Sequence, residues 1–434
     1  MHALRVPRPR IRRPRIQRPR IHRAWWVAAV VALVIVTEGW STGVPNMLTE
    51  PVLAQLGWSR GVLGTAFAIN MALYGLTAPF AAAAMDRFGI RPVALLALAL
   101  VVAGALVTTT MSLPAQLILG WGLLVGLGTG ALSLTFGAVV TERWFHARRG
   151  LVSGVLTSSS MFGGMVLMPL LAWVMHHHGW RAGVATVGGA SLLLVLPVLL
   201  VVRDHPASVG TRPYGATGFV PPPARADGGL GRALVVLRRA LATRAFWLLA
   251  LTFGVCGAST NGVMMTHFVP AAGEVGMPTV VAAGLLAVMG VCNVVGAAAS
   301  GWLTDRYGPV LLLVGYYGAR AVSLVLLPSV LGPGAGTAAV GFAVAYGLLD
   351  LATVPPTIAL CRTYFGPGNG PIVFGWVSAV HALGAASAAY LGSVGREVSG
   401  GYDAVWYVSG VACVGAAVLA LGLRAGREPA PIAR

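Results

Sequence analysis

Six polar side chains stand in sequence that is otherwise apolar: Glu38 in VIVTEGW, Asn261 in GASTNGVMM, Asn293 in GVCNVVG, Arg320 in YYGARAVSL, Asp350 in GLLDLATV and His381 in SAVHALGAA. Acids, a guanidinium and an imidazole in hydrocarbon surroundings suit two kinds of chemistry: holding a charged ligand and carrying a proton. They do not suit an enzyme. There is no Gly-rich phosphate loop, and no nucleophile stands beside a base at useful spacing. Nor is a metal or any other cofactor expected. His176, His177 and His178 have no partner ligands nearby and read as a solvated loop. The cysteines at 256, 292, 361 and 413 each lie in an apolar run and read as small core residues.

The elements that carry these six follow from composition. A net charge of +18 and a pI near 11.1 point first to a nucleic-acid binder, but 57% of the residues are hydrophobic, only 10% are charged, and mean hydropathy is +0.80. A soluble domain of this length could not cover so much apolar surface with so few charges. A span of ~20 apolar residues crosses the ~30 Å of hydrocarbon. Twelve such stretches are expected, numbered as spans 1–12: roughly 25–47, 60–84, 92–112, 115–141, 149–175, 182–202, 244–270, 279–303, 309–330, 336–361, 371–395 and 403–424. Residues 203–243, with Pro221–Pro223 and an amphipathic piece around LGRALVVLRRALATR, form a linker that divides the spans into two sets of six. The expected organisation is a basic arm at 1–24, a bundle at 25–202, the linker at 203–243, a second bundle at 244–424 and a tail at 425–434.

Arginine fixes orientation. With the N-terminus in the cytoplasm, loop arginines gather on the cytoplasmic face, and only Arg60, Arg181 and Arg396 fall opposite. Both termini and the linker are then cytoplasmic. The repeated RPRI of the arm, too long a basic region for a cleavable leader, becomes a foot that touches anionic lipid and not nucleic acid. All 30 basic residues are Arg, which with abundant Ala, Gly and Val suggests a GC-rich bacterial genome.

Counted from the cytoplasmic end of each span at 1.5 Å per residue, Glu38, Asn293, Arg320, Asp350 and His381 lie ~10–13 residues in, about 15–20 Å deep. Arg320 and Asp350 are expected either to pair inside the second bundle or to meet substrate. His381 either binds a proton or an anion, or is a neutral ring bonded to a carbonyl. Glu38 either carries a proton or is a protonated carboxyl satisfied by a hydroxyl such as Thr42. Asn261 is a possible donor to substrate. The halves also repeat: MDRFG at Met85–Gly89 returns as TDRYG at Thr304–Gly308, 219 residues on, and Arg143, Phe145 and Gly154 return as Arg362, Phe365 and Gly375 at offsets of 219–221. Two six-helix bundles in parallel repeat are a transporter architecture.

Asp86, Arg87, Phe88 and Gly89, followed by Arg91, resemble the signature loop between spans 2 and 3 of the major facilitator superfamily, and Gly301, Asp305, Arg306 and Gly308 are its second copy. The resemblance covers about 25–424 and implies an all-α membrane protein of twelve transmembrane helices in two six-helix pseudo-repeat bundles, acting as a monomer on a small-molecule substrate. It also implies that Asp86, Arg87, Gly89, Arg91, Asp305 and Arg306 are conformational-switch residues, with the carboxylate of Asp86 near the start of span 11 in the outward-open state. TEGWSTG, LGWSRG and RWFHARRGLVSG are similar to the monocarboxylate transporter and oxalate/formate antiporter branch. That similarity implies a secondary carrier of a small organic anion, coupled to protons, in a bacterial inner membrane. Two departures stand out. Where the branch carries Asp and Arg in span 8, this chain has Asn293 and Ala297, and where the antiporter has a Lys in span 11, it has His381. The alternative is a drug or metabolite efflux carrier of the same superfamily. Gly154 and Gly163 match the spacing of the glycines in its fifth-helix motif, while Leu167 and Met168 break that motif.

Overall fold

In this computed structural model, residues 21–221 and 229–423 are described. The RPRI repeats and the tail from 424 onward, with the lipid contact expected of the arm, lie outside them. Twelve helices are long and apolar enough to cross a membrane: Arg23–Pro45, Arg60–Phe88, Ile90–Thr109, Pro114–Trp144, Arg149–His178, Trp180–Val201, Arg244–Glu274, Thr279–Thr304, Pro309–Val330, Thr337–Phe365, Gly370–Ser399 and Asp403–Leu421. They correspond in order to spans 1–12. No strand occurs among the described residues, only an isolated bridge between Phe145 and Tyr214.

Several spans are not continuous α-helix. Span 10 stops at Asp350, turns through Leu351–Thr353 and resumes at Val354. Pro355 and Pro356 explain the break. Neither has an N–H to donate backward, and both suit the first turn of a new helix. Span 7 widens to π geometry over Ala258–Met264, and spans 4 and 5 do so over Ile118–Val125 and Phe162–Val166. A π turn is a frequent mark of a functional stretch.

The two halves meet through small residues. A methyl group on Gly150 or Gly154 of span 5 would overlap backbone of Gly301 or Ala297 in span 8, so the two helices touch main chain to main chain. Across the other seam, Gly375 of span 11 packs on Pro79 of span 2, and Gly75 faces Ala382. Ser158 adds a hydrogen bond to the Val294 carbonyl, 2.9 Å, between spans 5 and 8. The span 5–8 glycine contacts lie at the end of the molecule where the linker runs, called here the linker end. The linker itself is folded onto that end. Tyr214 exchanges backbone bonds with Trp144 and His146 and packs its ring against Trp25 and His22. Residues Gly231–Leu241 form a helix that contacts spans 2, 7 and 11.

Candidate functional site

The break in span 10 leaves carbonyls without helical partners, and Arg320 of span 9 serves them. Its Nη2 donates to the Leu349 carbonyl at 3.0 Å and also to that of Asp350. Its Nη1 reaches Ser259 Oγ at 3.1 Å, on the π stretch of span 7. The Asp350 carboxylate accepts from Thr260 Oγ1 at 2.6 Å and from Asn293 Nδ2 at 3.1 Å, and lies 3.9 Å from Arg320 Nη2. Arg320, Asp350 and Asn293 are at most 1% exposed, so this is a closed, buried ion pair tied to one helix break. Two of its atoms, Arg320 Nε and Asn293 Oδ1, have no hydrogen-bond partner among the described residues. The sequence places Asn293 at a substrate position. In this conformation its amide is instead spent on Asp350.

His381 lies beside this cluster and is joined to it through the Cys256 thiol, which is hydrogen-bonded to His381 and also accepts from Arg320 Nη1 at 3.4 Å. Its ring is half-buried, 4.7 Å from the Phe253 ring, with the Cys256 thiol as a neighbour. Gly257 allows the approach, since a methyl there would overlap the His381 carbonyl. Asn261 is exposed on the same π stretch, and its side chain makes no hydrogen bond among the described residues. Glu38 is in the other half and only 2% exposed. Its Oε2 accepts from Ser160 Oγ of span 5 at 3.1 Å, and Tyr74 of span 2 is the other polar side chain against it. Thr42, the hydroxyl expected to satisfy Glu38, donates to the Gly39 carbonyl instead, at 2.7 Å. The reason is local: a threonine in a helix folds back on its own preceding turn. Glu38 and the Asp350 cluster are not brought together.

At the linker end the signature residues form two unlike clasps. Asp305 receives the Gly150 N–H at 2.7 Å and the Leu151 N–H at 2.9 Å. These are orphan donors in the first turn of span 5, where a carboxylate is favoured by the helix dipole. Asp86 does not do the same to span 11. It pairs with Arg143 and with Arg232 of the linker helix, each at 2.6 Å, and Arg232 in turn donates to Asn369 Oδ1 at the start of span 11, 3.0 Å. The expected proximity of Asp86 to that helix start is thus indirect. Arg143 holds an aspartate; its repeat mate Arg362 makes no ion pair among the described residues, and Asp305 is bonded to span 5. Glu142 adds a further tie by accepting from the Gly368 N–H at 3.0 Å.

Gly89 has φ +99°, and a side chain there would also collide with the Asp204 carboxylate, which caps span 3 through the Arg91 N–H at 3.0 Å. Arg87 and Arg306 lie over the rings of Phe88 and Trp302, at 5.3 and 3.7 Å. Sequence reasoning missed Arg232, Glu142 and Asp204. Arg232 stood in the amphipathic stretch of the linker, and Glu142 immediately precedes the repeated Arg143. A cavity of about 330 Å³ lies between the halves at this end, lined in part by Glu142, Arg149, Asp305, Arg362 and Phe374.

Comparison with known proteins agrees with this architecture. The chain is 29% identical over 345 residues to monocarboxylate transporter 13 of Bos taurus, covering 79% of this chain and 75% of that protein. It is 27% identical to monocarboxylate transporter 11 of Homo sapiens over 414 residues, 92% and 82% of the two chains. The MFS-type transporter YcxA of Bacillus subtilis is 24% identical over 357 residues, 79% of this chain and 81% of that one. Among solved structures, the fucose:proton symporter FucP of E. coli superposes with a TM-score of 0.69 at 14% identity, covering 92% of this chain and 99% of that one, which speaks for the fold alone. The model of the Major Facilitator Superfamily matches residues 29–389, and the chain belongs to that superfamily.

Proposed function

We propose that this protein is a secondary active transporter that moves a small, monocarboxylate-like organic anion across a bacterial inner membrane by alternating access, coupled to protons. One observation carries the reading. Of the basic side chains in the middle of the spans, Arg320 is tied to carbonyls and to Asp350, whereas His381 keeps partial exposure and has the Cys256 thiol, and among the described residues no carbonyl or carboxylate, as its hydrogen-bond partner. A protonated imidazole offers a positive charge to a carboxylate, and a neutral one offers much less. Proton and anion would therefore bind together at His381 without a second ion. Asn261, exposed on the facing span 7, supplies a further donor. Glu38, buried against Ser160 and Tyr74, is the proton-carrying candidate of the other half. The arginine distribution supports a cytoplasmic linker end, so the clasps of Asp86 and Asp305 close the cytoplasmic side in this conformation.

The test is flux in proteoliposomes. An inward proton gradient is expected to drive uptake of a monocarboxylate such as pyruvate or lactate, and uptake is expected to weaken as pH rises from about 5 to 8. His381→Ala should lose most affinity and the pH dependence together, while His381→Lys should bind but release slowly, since a fixed charge cannot be switched off. Unchanged transport and pH profile in His381→Ala would reduce His381 to a packing residue and remove the mechanism built on it.

A further inference from the structure

The linker helix Gly231–Leu241 has one more face than a helix packed on a bundle needs. Ala233, Val236 and Ala240 are buried against the spans, where Trp376 of span 11 donates to the Ala233 carbonyl at 3.0 Å. At about 100° per residue, Leu230, Leu234 and Leu241 fall together on the flank of that buried face. They stay 54%, 53% and 40% exposed. Arg238 comes next around the helix and is exposed. On the opposite flank Arg232 bridges Asp86 of one half and Asn369 of the other.

The start of span 7 fixes the depth of this helix. Leu241 lies three residues before Arg244, where that span begins. Trp247, in its first turns, is 49% exposed, and its indole donates to the Leu241 carbonyl at 2.9 Å. An exposed tryptophan at the start of a span marks the level of the headgroups. A stripe of leucines at that level, with a cation on its border, is the pattern of a helix lying in a bilayer surface.

We propose that this helix is a membrane-surface lever. Its leucine stripe seats in the leaflet on the linker side, and Arg238 holds the phosphate of an anionic lipid. Because Arg232 rides on the same rigid helix, the lipid sets how firmly the Asp86–Arg232–Asn369 clasp joins the halves.

The experiment uses the full chain in nanodiscs of phosphatidylcholine, with or without phosphatidylglycerol, in a background with Cys256, Cys292, Cys361 and Cys413 replaced by Ala. A fluorophore on Leu234→Cys should be quenched by lipid-borne nitroxide in preference to aqueous iodide. Spin labels on Ala147→Cys and Thr363→Cys, exposed positions at the linker end of each half, report the distance between the halves. Phosphatidylglycerol should raise the ratio of closed to open populations by about fivefold, the weight of one arginine at an anionic surface. Arg238→Gln should remove that response while leaving the clasp residues in place. The proposal is overturned if iodide is the better quencher, if the distances ignore the lipid, or if Arg238→Gln responds as the wild type does. It is equally overturned if inorganic phosphate added to plain phosphatidylcholine discs reproduces the shift.

Discussion

Arg320 and Asp350 show what a single buried charge demands. Both are enclosed: Arg320 donates to carbonyls at the end of a broken helix, the Asp350 carboxylate accepts from Thr260 and Asn293, and the two charges face each other at 3.9 Å. Removing one partner strands the other, at a cost of about 3–5 kcal/mol. Thermal unfolding in detergent should therefore show Arg320→Ala and Asp350→Ala each losing several degrees, with the double variant recovering part of the loss. Strict additivity would mean that the two do not interact. A stable Arg320→Ala with lost substrate affinity would move Arg320 into the binding site instead. Counting depth along each span was enough to select these residues, because a charge in an apolar run is conspicuous. Their partners were less legible. The choice of Ser160 over Thr42 for Glu38, and of Asp350 for Asn293, depends on how neighbouring helices are rotated, which no one helix records.

At the scale of elements, the conformation rests on helix ends meeting helix ends. Asp305 on the first turn of span 5 and Asp86 between two arginines both make contacts that tie the halves together at the linker end, and Gly301 lets spans 5 and 8 touch. Asp86→Asn keeps the shape of the side chain and discards the charge that holds Arg143 and Arg232. It should leave the protein folded and inserted, slow turnover, and open the linker end more often. Gly301→Val should act in the same direction by steric means, since a branched side chain would drive into Gly150 and Gly154. Ser153, which lines the cavity between the halves, is the reporter. Ser153→Cys should be alkylated by a permeant thiol reagent faster in both variants, and equal rates with normal transport would count against the clasp. The repeated Asp-Arg-aromatic-Gly motif announced both loops. It did not announce their asymmetry, because the linker helix inserts Arg232 on one side only and span 5 claims Asp305 on the other.

Across the whole molecule, hydropathy and the offset of about 219 residues made the twelve helices and their pairing by halves readable, since an apolar run long enough to span has few other uses. The break in span 10 was not foreseen where one stretch at 336–361 was expected, because the pair Pro355 and Pro356 does not by itself say whether a helix stops, kinks or merely begins there. Orientation depends on charge rather than on fold. Loop arginines are many at the linker end, against Arg60, Arg181 and Arg396 at the far end, and this asymmetry is the ground for proposing that the linker end is cytoplasmic. Ser208 and Thr217 of the linker are both exposed, so burial cannot shield them from a reagent. In intact cells, Ser208→Cys and Thr217→Cys should therefore resist an impermeant maleimide and react once the membrane is permeabilised. A cysteine at Gly401, between spans 11 and 12, should show the reverse and react from outside. Labelling of Ser208→Cys or Thr217→Cys in intact cells would invert the protein in its membrane. The clasps at the linker end would then close the external face, and a substrate bound in this conformation would have to arrive from the cytoplasm.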